Sequence, residues 1–197
     1  MLDLAALFKA RRWYLVRLML LCSPHFLGFQ ALADCQSALQ PYSPGERGKL
    51  TKLFEDWGAY RIEDKNVCWI SSMPTKTRLL NNKNPEELCR SEPLFHVLLS
   101  PDGEPVFKAG VIVSTTSAAN LQTEVGSFNL PIVDGEYAFP LREYDQEIIQ
   151  SIAVSKTFEI TFTTADGTQA IDYFSTRGFT LALREAEAQC GIANFLS

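Results

Sequence analysis

Between Thr157 and Thr163 the chain alternates without a break: Phe158, Ile160 and Phe162 fall in one phase, Thr157, Glu159, Thr161 and Thr163 in the other. A period of two puts one set on each side of a pleated strand, so this segment predicts a strand with one buried and one wet face. Asp166-Gly167 follows, then Gln169–Ser175. An Asp-Gly pair between two such runs predicts a hairpin. The same organisation recurs upstream. Trp57–Ile62 and Val67–Met73 surround the polar turn Glu63-Asp64-Lys65-Asn66, and Leu94–Ser100 and Pro105–Val113 flank Pro101-Asp102-Gly103. Val125–Val133 and Tyr137–Phe139 flank Asp134-Gly135. Proline presets φ and glycine tolerates positive φ, which is what tight turns require.

Two segments carry a helical period instead. Across Arg142–Val154, Tyr144, Ile148 and Ile152 fall at four-residue spacing; across Thr180–Cys190, Phe179, Leu183, Ala186 and Cys190 share one stripe. Many strands, one helix, two strands and one helix do not make the alternation of a parallel α/β sheet. The expected fold is mainly β, an antiparallel two-sheet sandwich with two peripheral α-helices, spanning residues 54–197. Residues 34–53 read as an N-terminal arm with a short helix near Lys49–Phe54, and residues 79–93 as a loop broken at Asn84-Pro85.

The first 33 residues read as an address and not as fold. Lys9, Arg11, Arg12 and Arg17 give a basic start; an apolar run from Leu18 to Phe29 follows, interrupted by Pro24; Ala31-Leu32-Ala33 closes it. This is the pattern of a secretory signal peptide. The run is too short and broken to read as a retained span, so no stable membrane anchor is expected after cleavage. Removal takes four basic residues and one acid, Asp3, from the chain's 18 and 23, leaving 14 and 22, a net charge of -8. That balance argues against nucleic acid as a partner and against attraction to an anionic membrane surface. The cysteines fall from five to four, Cys35, Cys68, Cys89 and Cys190. An even set in an oxidising compartment predicts two disulfides, with three pairings open.

Few residues offer chemistry. His96, the one histidine beyond the signal segment, lies inside a predicted strand, where a structural role is expected. Nucleophile-elbow, phosphate-loop, dinucleotide and zinc-ligand spacings do not occur in the sequence. Glu143, Asp145 and Glu147 suit the positive end of the first helix better than a carboxylate pair. Asp172 reads as a surface or hydrogen-bonding acid, and Arg177 as the holder of a nearby acid. Trp57, Trp69, Phe128, Phe158, Phe162 and Phe174 read as core. A non-enzymatic protein without cofactor or metal is expected. The alternatives are a carrier of a small ligand or lipid between the two sheets, and a hydrolase built on His96.

Three stretches together resemble a known family: Phe54-Glu55-Asp56-Trp57; Cys68-Trp69-Ile70-Ser71-Ser72-Met73-Pro74; and Asp172-Tyr173-Phe174-Ser175-Thr176-Arg177-Gly178-Phe179-Thr180-Leu181-Ala182-Leu183 running into Cys190. The arrangement is similar to the invasion-associated locus B family of exported alphaproteobacterial proteins, over about residues 54–190. The resemblance implies a β-rich periplasmic or surface-associated protein, linked in some pathogens to host-cell entry, with no catalytic residue. Its partner would be an envelope or host-surface protein. The resemblance also implies a Cys68–Cys190 bridge, which leaves Cys35 with Cys89.

Overall fold

A computed structural model describes residues 48–80, 84, 88–99, 103–192 and 195–196. Residues 1–47, which include the expected signal segment 1–33, most of the expected arm and Cys35, lie outside the described residues.

Strands run in chain order as β1 (Lys49–Phe54), β2 (Trp57–Ile62), β3 (Val67–Ser72), β4 (Lys76–Leu79), β5 (Leu94–Leu98), β6 (Glu104–Lys108), β7 (Ala119–Thr123), β8 (Ser127–Leu130), β9 (Ile132–Asp134) and β10 (Tyr137–Phe139). Helix α1 (Asp145–Val154), strands β11 (Thr157–Thr163) and β12 (Gln169–Ser175), and helix α2 (Phe179–Cys190) complete the described elements. Two antiparallel sheets result: a seven-stranded one in the order β1-β2-β3-β5-β6-β10-β9 and a five-stranded one in the order β4-β12-β11-β7-β8. The fold is therefore mainly β, two sheets with two helices, as the turn chemistry predicts.

The sheets meet through aromatic side chains. Phe158 and Phe174 pair across β11 and β12 and stack with ring centroids 4.8 Å apart. Phe95 of the larger sheet meets Phe158 edge-on at 5.0 Å, and Phe107 meets Phe162 at 5.2 Å. Trp57 is fully buried, 4.8 Å edge-on from Phe179, and its indole N–H donates to the Ser175 carbonyl at 2.8 Å. Buried aromatic pairs in such geometries each add about 0.5–1.5 kcal/mol beyond their area. Helix α2 covers the β1–β3 end of the larger sheet through Phe179, Ala182, Leu183 and Ala186. Helix α1 buries Ile148, Ile149 and Ile152, and Ile149 reaches toward Gly103 at the start of β6.

Several local expectations change. Lys49–Phe54 is not a helix but edge strand β1, paired with β2 across a tight turn at Glu55 (φ 52°). The predicted loop 79–93 begins inside β4, whose last residue is Leu79. Strands β4 and β7 lie outside the predicted set, because their sequences, KTRL and ANLQT, are short and largely polar. The single run Val125–Val133 divides at Pro131, β8 going to one sheet and β9 to the other. Proline has no N–H to give a ladder, so a change of sheet there leaves no donor unpaired.

Candidate functional site

The register assigns each residue of the larger sheet to a side. Ala59, Ile70, Val97 and Pro105 lie opposite one another, as do Ser72, Phe95 and Phe107, and these face inward. The alternate set faces outward: Tyr60 beside Trp69 beside Leu98, then Ser71 beside His96 beside Val106, then Leu94 beside Lys108 beside Tyr137. This second face is not polar. Tyr60 and Trp69 stack at 5.4 Å with planes 8° apart, and Tyr137 and Phe139 stack at 6.3 Å. All four rings, with Leu94 and Leu98, are half-buried. Trp69 thus departs from its expected place in the core. Trp57, Phe128, Phe158, Phe162 and Phe174 are buried as expected.

His96 sits in the middle of that outer face. Its Nδ1 is buried and has no hydrogen-bond partner. Burial, helped by the charge of Lys108, pushes its pKa down to about 4, so it is neutral at pH 7. Among the described residues, no carboxylate accepts from Nδ1 to orient the ring and no hydroxyl lies in hydrogen-bond contact with it to be activated. The carboxylates near α1 are likewise spread along one helix start, with Asp145 and Glu147 in its first turn. Among the described residues there is no group of three or more His, Cys, Asp or Glu able to hold a metal ion.

Asp172 is the strongest polar cluster in the interior. Phe174 and Ala170, two residues to either side, share the inner face with it, so the strand period forces its carboxylate inward. Arg90 meets it from the loop before β5. The guanidinium donates to both carboxylate oxygens at 2.8 and 2.6 Å, to the Ala109 carbonyl at 2.6 Å, and lies 5.2 Å above the Phe162 ring. Thr77 donates to the same carboxylate at 2.6 Å. Both sides of the pair are buried and saturated with partners, which makes it a structural tie between loop, β4 and β12. Of the two readings of Asp172, surface or hydrogen-bonding acid, the second holds, since the residue is fully buried; its partner Arg90, 82 residues away, is not signalled by the sequence.

The rest of the motif near the C-terminus is also spent on the fold. Phe174 and Phe179 are core, the Ser175 carbonyl accepts from Trp57, and the exposed Arg177 pairs with Glu55 at 2.5 Å. Cys68 and Cys190 form a disulfide that joins the end of α2 to β3. Cys89 is also disulfide-bonded; its expected partner Cys35 lies outside the described residues.

One cleft of about 250 Å³ opens beside the β11–β12 turn, lined by Leu79, Leu88, Val111, Ile112, Thr164 and Thr168 among others. That is below the usual range for a bound small molecule, and the space between the sheets is filled by the aromatic cluster.

No protein-family model matches the chain, and no curated protein does. A solved structure described as the crystal structure of invasion associated protein B from Bartonella henselae is similar, with a TM-score of 0.50 and 16% sequence identity, over 71% of this chain and 97% of that one. At that identity the likeness shows the shared fold.

Proposed function

We propose that this is an exported, non-enzymatic protein of the cell envelope, periplasmic or surface-associated, that works by binding another protein through the outer face of its seven-stranded sheet. The observation that carries this reading is the apolar character of a sheet face on which neither helix packs through its core residues: Tyr60, Trp69, Leu94, Leu98, Tyr137 and Phe139 all point away from the core and stay half-exposed. Aromatic residues in an otherwise dispensable position supply contact area at a low cost in side-chain entropy. The basic, apolar and small-residue pattern of residues 1–33 supports export, and the acidic balance turns the surface away from nucleic acid and anionic lipid. The likeness to a protein described as invasion-associated favours an envelope or host-surface protein as partner, and a role in host-cell entry.

Affinity capture tests the reading. The chain from Asp34 onward and its Trp69→Ser and Tyr60→Ser variants are immobilised and exposed to envelope and host-membrane extracts. One protein held in stoichiometric amount by the parent and released by either variant is the expected result. Equal retention by all three moves the contact elsewhere, and turnover of a metabolite without a bound protein overturns the non-enzymatic reading.

A further inference from the structure

The five-stranded sheet ends at β4, and among the described residues no strand pairs with its other side. β4 meets β12 residue for residue without a bulge, from Lys76 opposite Tyr173 to Leu79 opposite Ala170. The Leu80 N–H donates to the Gln169 carbonyl. Bonded pairs alternate along an antiparallel ladder, so Arg78 and Lys76 turn their backbone groups to β12. Thr77 and Leu79 turn their N–H and C=O groups to the open edge. The other edges are less usable: β1 is bulged between Leu50 and Lys52, β9 has three residues, and β8 stops at Pro131. Charge and shape say what fits β4. Lys76 and Arg78 are exposed on the outer side of the sheet, and among the described residues neither forms an ion pair. Two cations on so short an edge repel a basic strand and attract an acidic one. Leu79, in the opposite phase, lines the cleft of about 250 Å³ together with Leu88, Val111 and the exposed Ile112. Asp166 stands at the same cleft, which disfavours a second acid there and leaves it to an apolar side chain.

We infer that the edge of β4 takes up an extended acidic segment of another protein as an added strand, with acidic side chains beside Lys76 and Arg78 and an apolar side chain in the cleft beyond Leu79. Backbone bonds to Thr77 and Leu79 hold the segment, and the two cations and the cleft select it. A second copy of this chain does not fit. Its β1 carries Lys49 and Lys52, its β4 the same two cations, its β9 one acid, Asp134, and its β8 none. The site belongs to the smaller sheet and is separate from the outer face of the larger one.

The test uses the oxidised chain from Asp34 onward and three labelled peptides. One alternates glutamate and valine and ends in phenylalanine; one has lysine for glutamate; one has proline for valine and so cannot join a ladder. By fluorescence anisotropy the glutamate peptide is expected to bind about fivefold or more tighter than the lysine peptide, with the gap closing in molar salt, and the proline peptide not to bind. On binding, hydrogen exchange at the Thr77 and Leu79 amides slows about tenfold or more, while amides of β7 and β11 do not change. Lys76→Glu/Arg78→Glu reverses the order of the first two peptides, and Ile112→Asp, at the exposed rim of the cleft, weakens the glutamate peptide; unchanged β11 and β12 protection shows both variants folded. Equal affinity for the glutamate and lysine peptides, no binding by either, or binding without slowed exchange at Thr77 and Leu79 overturns the inference. Slow exchange at those two amides without peptide shows the edge already covered, by a second copy if it depends on protein concentration and by the chain itself if not, and overturns it as well.

Discussion

A Cβ on Gly178 would stand 1.9 Å from the carbonyl oxygen of Phe54. The turn that leaves β12 is thereby pressed against the turn that joins β1 to β2, and the Asp56 N–H donates to the Arg177 carbonyl across the same contact. Gly178 also has φ 88°, where an L side chain is strained. The Gly178→Ala change is expected to lose about 3 kcal/mol or more, from roughly 1–2 for the left-handed backbone and a further 1–3 for forcing the two turns apart. Gly167→Ala is the control: its φ is 84° with nothing within 4 Å, so only the backbone cost applies. Urea unfolding midpoints of the two variants separate close approach from conformation; equal losses would refute the contact.

The Arg90–Asp172 pair predicts non-additivity. Asp172→Ala leaves a guanidinium buried without its carboxylate, at a cost of about 3–5 kcal/mol. Arg90→Met leaves the converse. Replacing both, Arg90→Met with Asp172→Leu, removes the two charges together, and the double variant is expected to be more stable than either single one. A double-mutant cycle by chemical denaturation reads the coupling directly. Additive losses would show the two side chains to be independent.

These two ties explain what could and could not be read beforehand. The β11–β12 hairpin was visible because Phe158, Ile160 and Phe162 carry its whole inner face in one phase. β1 was not, because KLTKLF is exposed along nearly its whole length and its conformation is decided by pairing with β2 rather than by its own period. Asp172 looked like an isolated acid, since its partner stands in a loop far along the chain. The outer face was hidden for a different reason. In Val67–Ser72 and Leu94–Leu98 both phases are rich in apolar residues, and a strand with two such faces reads as deep core. Only the register shows that Trp69 and Leu98 look away from it. The signal was nonetheless present: Tyr60 and Trp69 stand in the opposite phase to Trp57 and Ile70.

The Cys68–Cys190 bridge closes a loop of 122 residues. In the chain-entropy description, a cross-link over that length removes about 5 kcal/mol of freedom from the unfolded chain. The paired variant Cys68→Ala/Cys190→Ser is expected to unfold at much lower denaturant than the parent in oxidising buffer. Adding reductant should bring the parent toward the variant and leave the variant's response to reductant confined to whatever Cys89 contributes. A parent insensitive to both treatments would mean that the unfolded chain is already constrained there.

His96 makes stability depend on pH with a definite sign. Its folded pKa is held near 4, first by burial and then by Lys108, against 6.5 in an unfolded chain. On acidification the unfolded state therefore binds the proton first. The contribution is complete above pH 6.5, shrinks as pH falls from 6.5 toward 4, and is gone below that window; integrated, it amounts to at most about 3 kcal/mol. His96→Leu keeps the apolar contacts and has no proton to bind, so its stability should change less between pH 7 and 4.5 than the parent's, while the carboxylates shared by both chains cancel in the difference. Chemical denaturation of the two proteins at both pH values gives the comparison. Parallel losses would place His96 in water with an ordinary pKa.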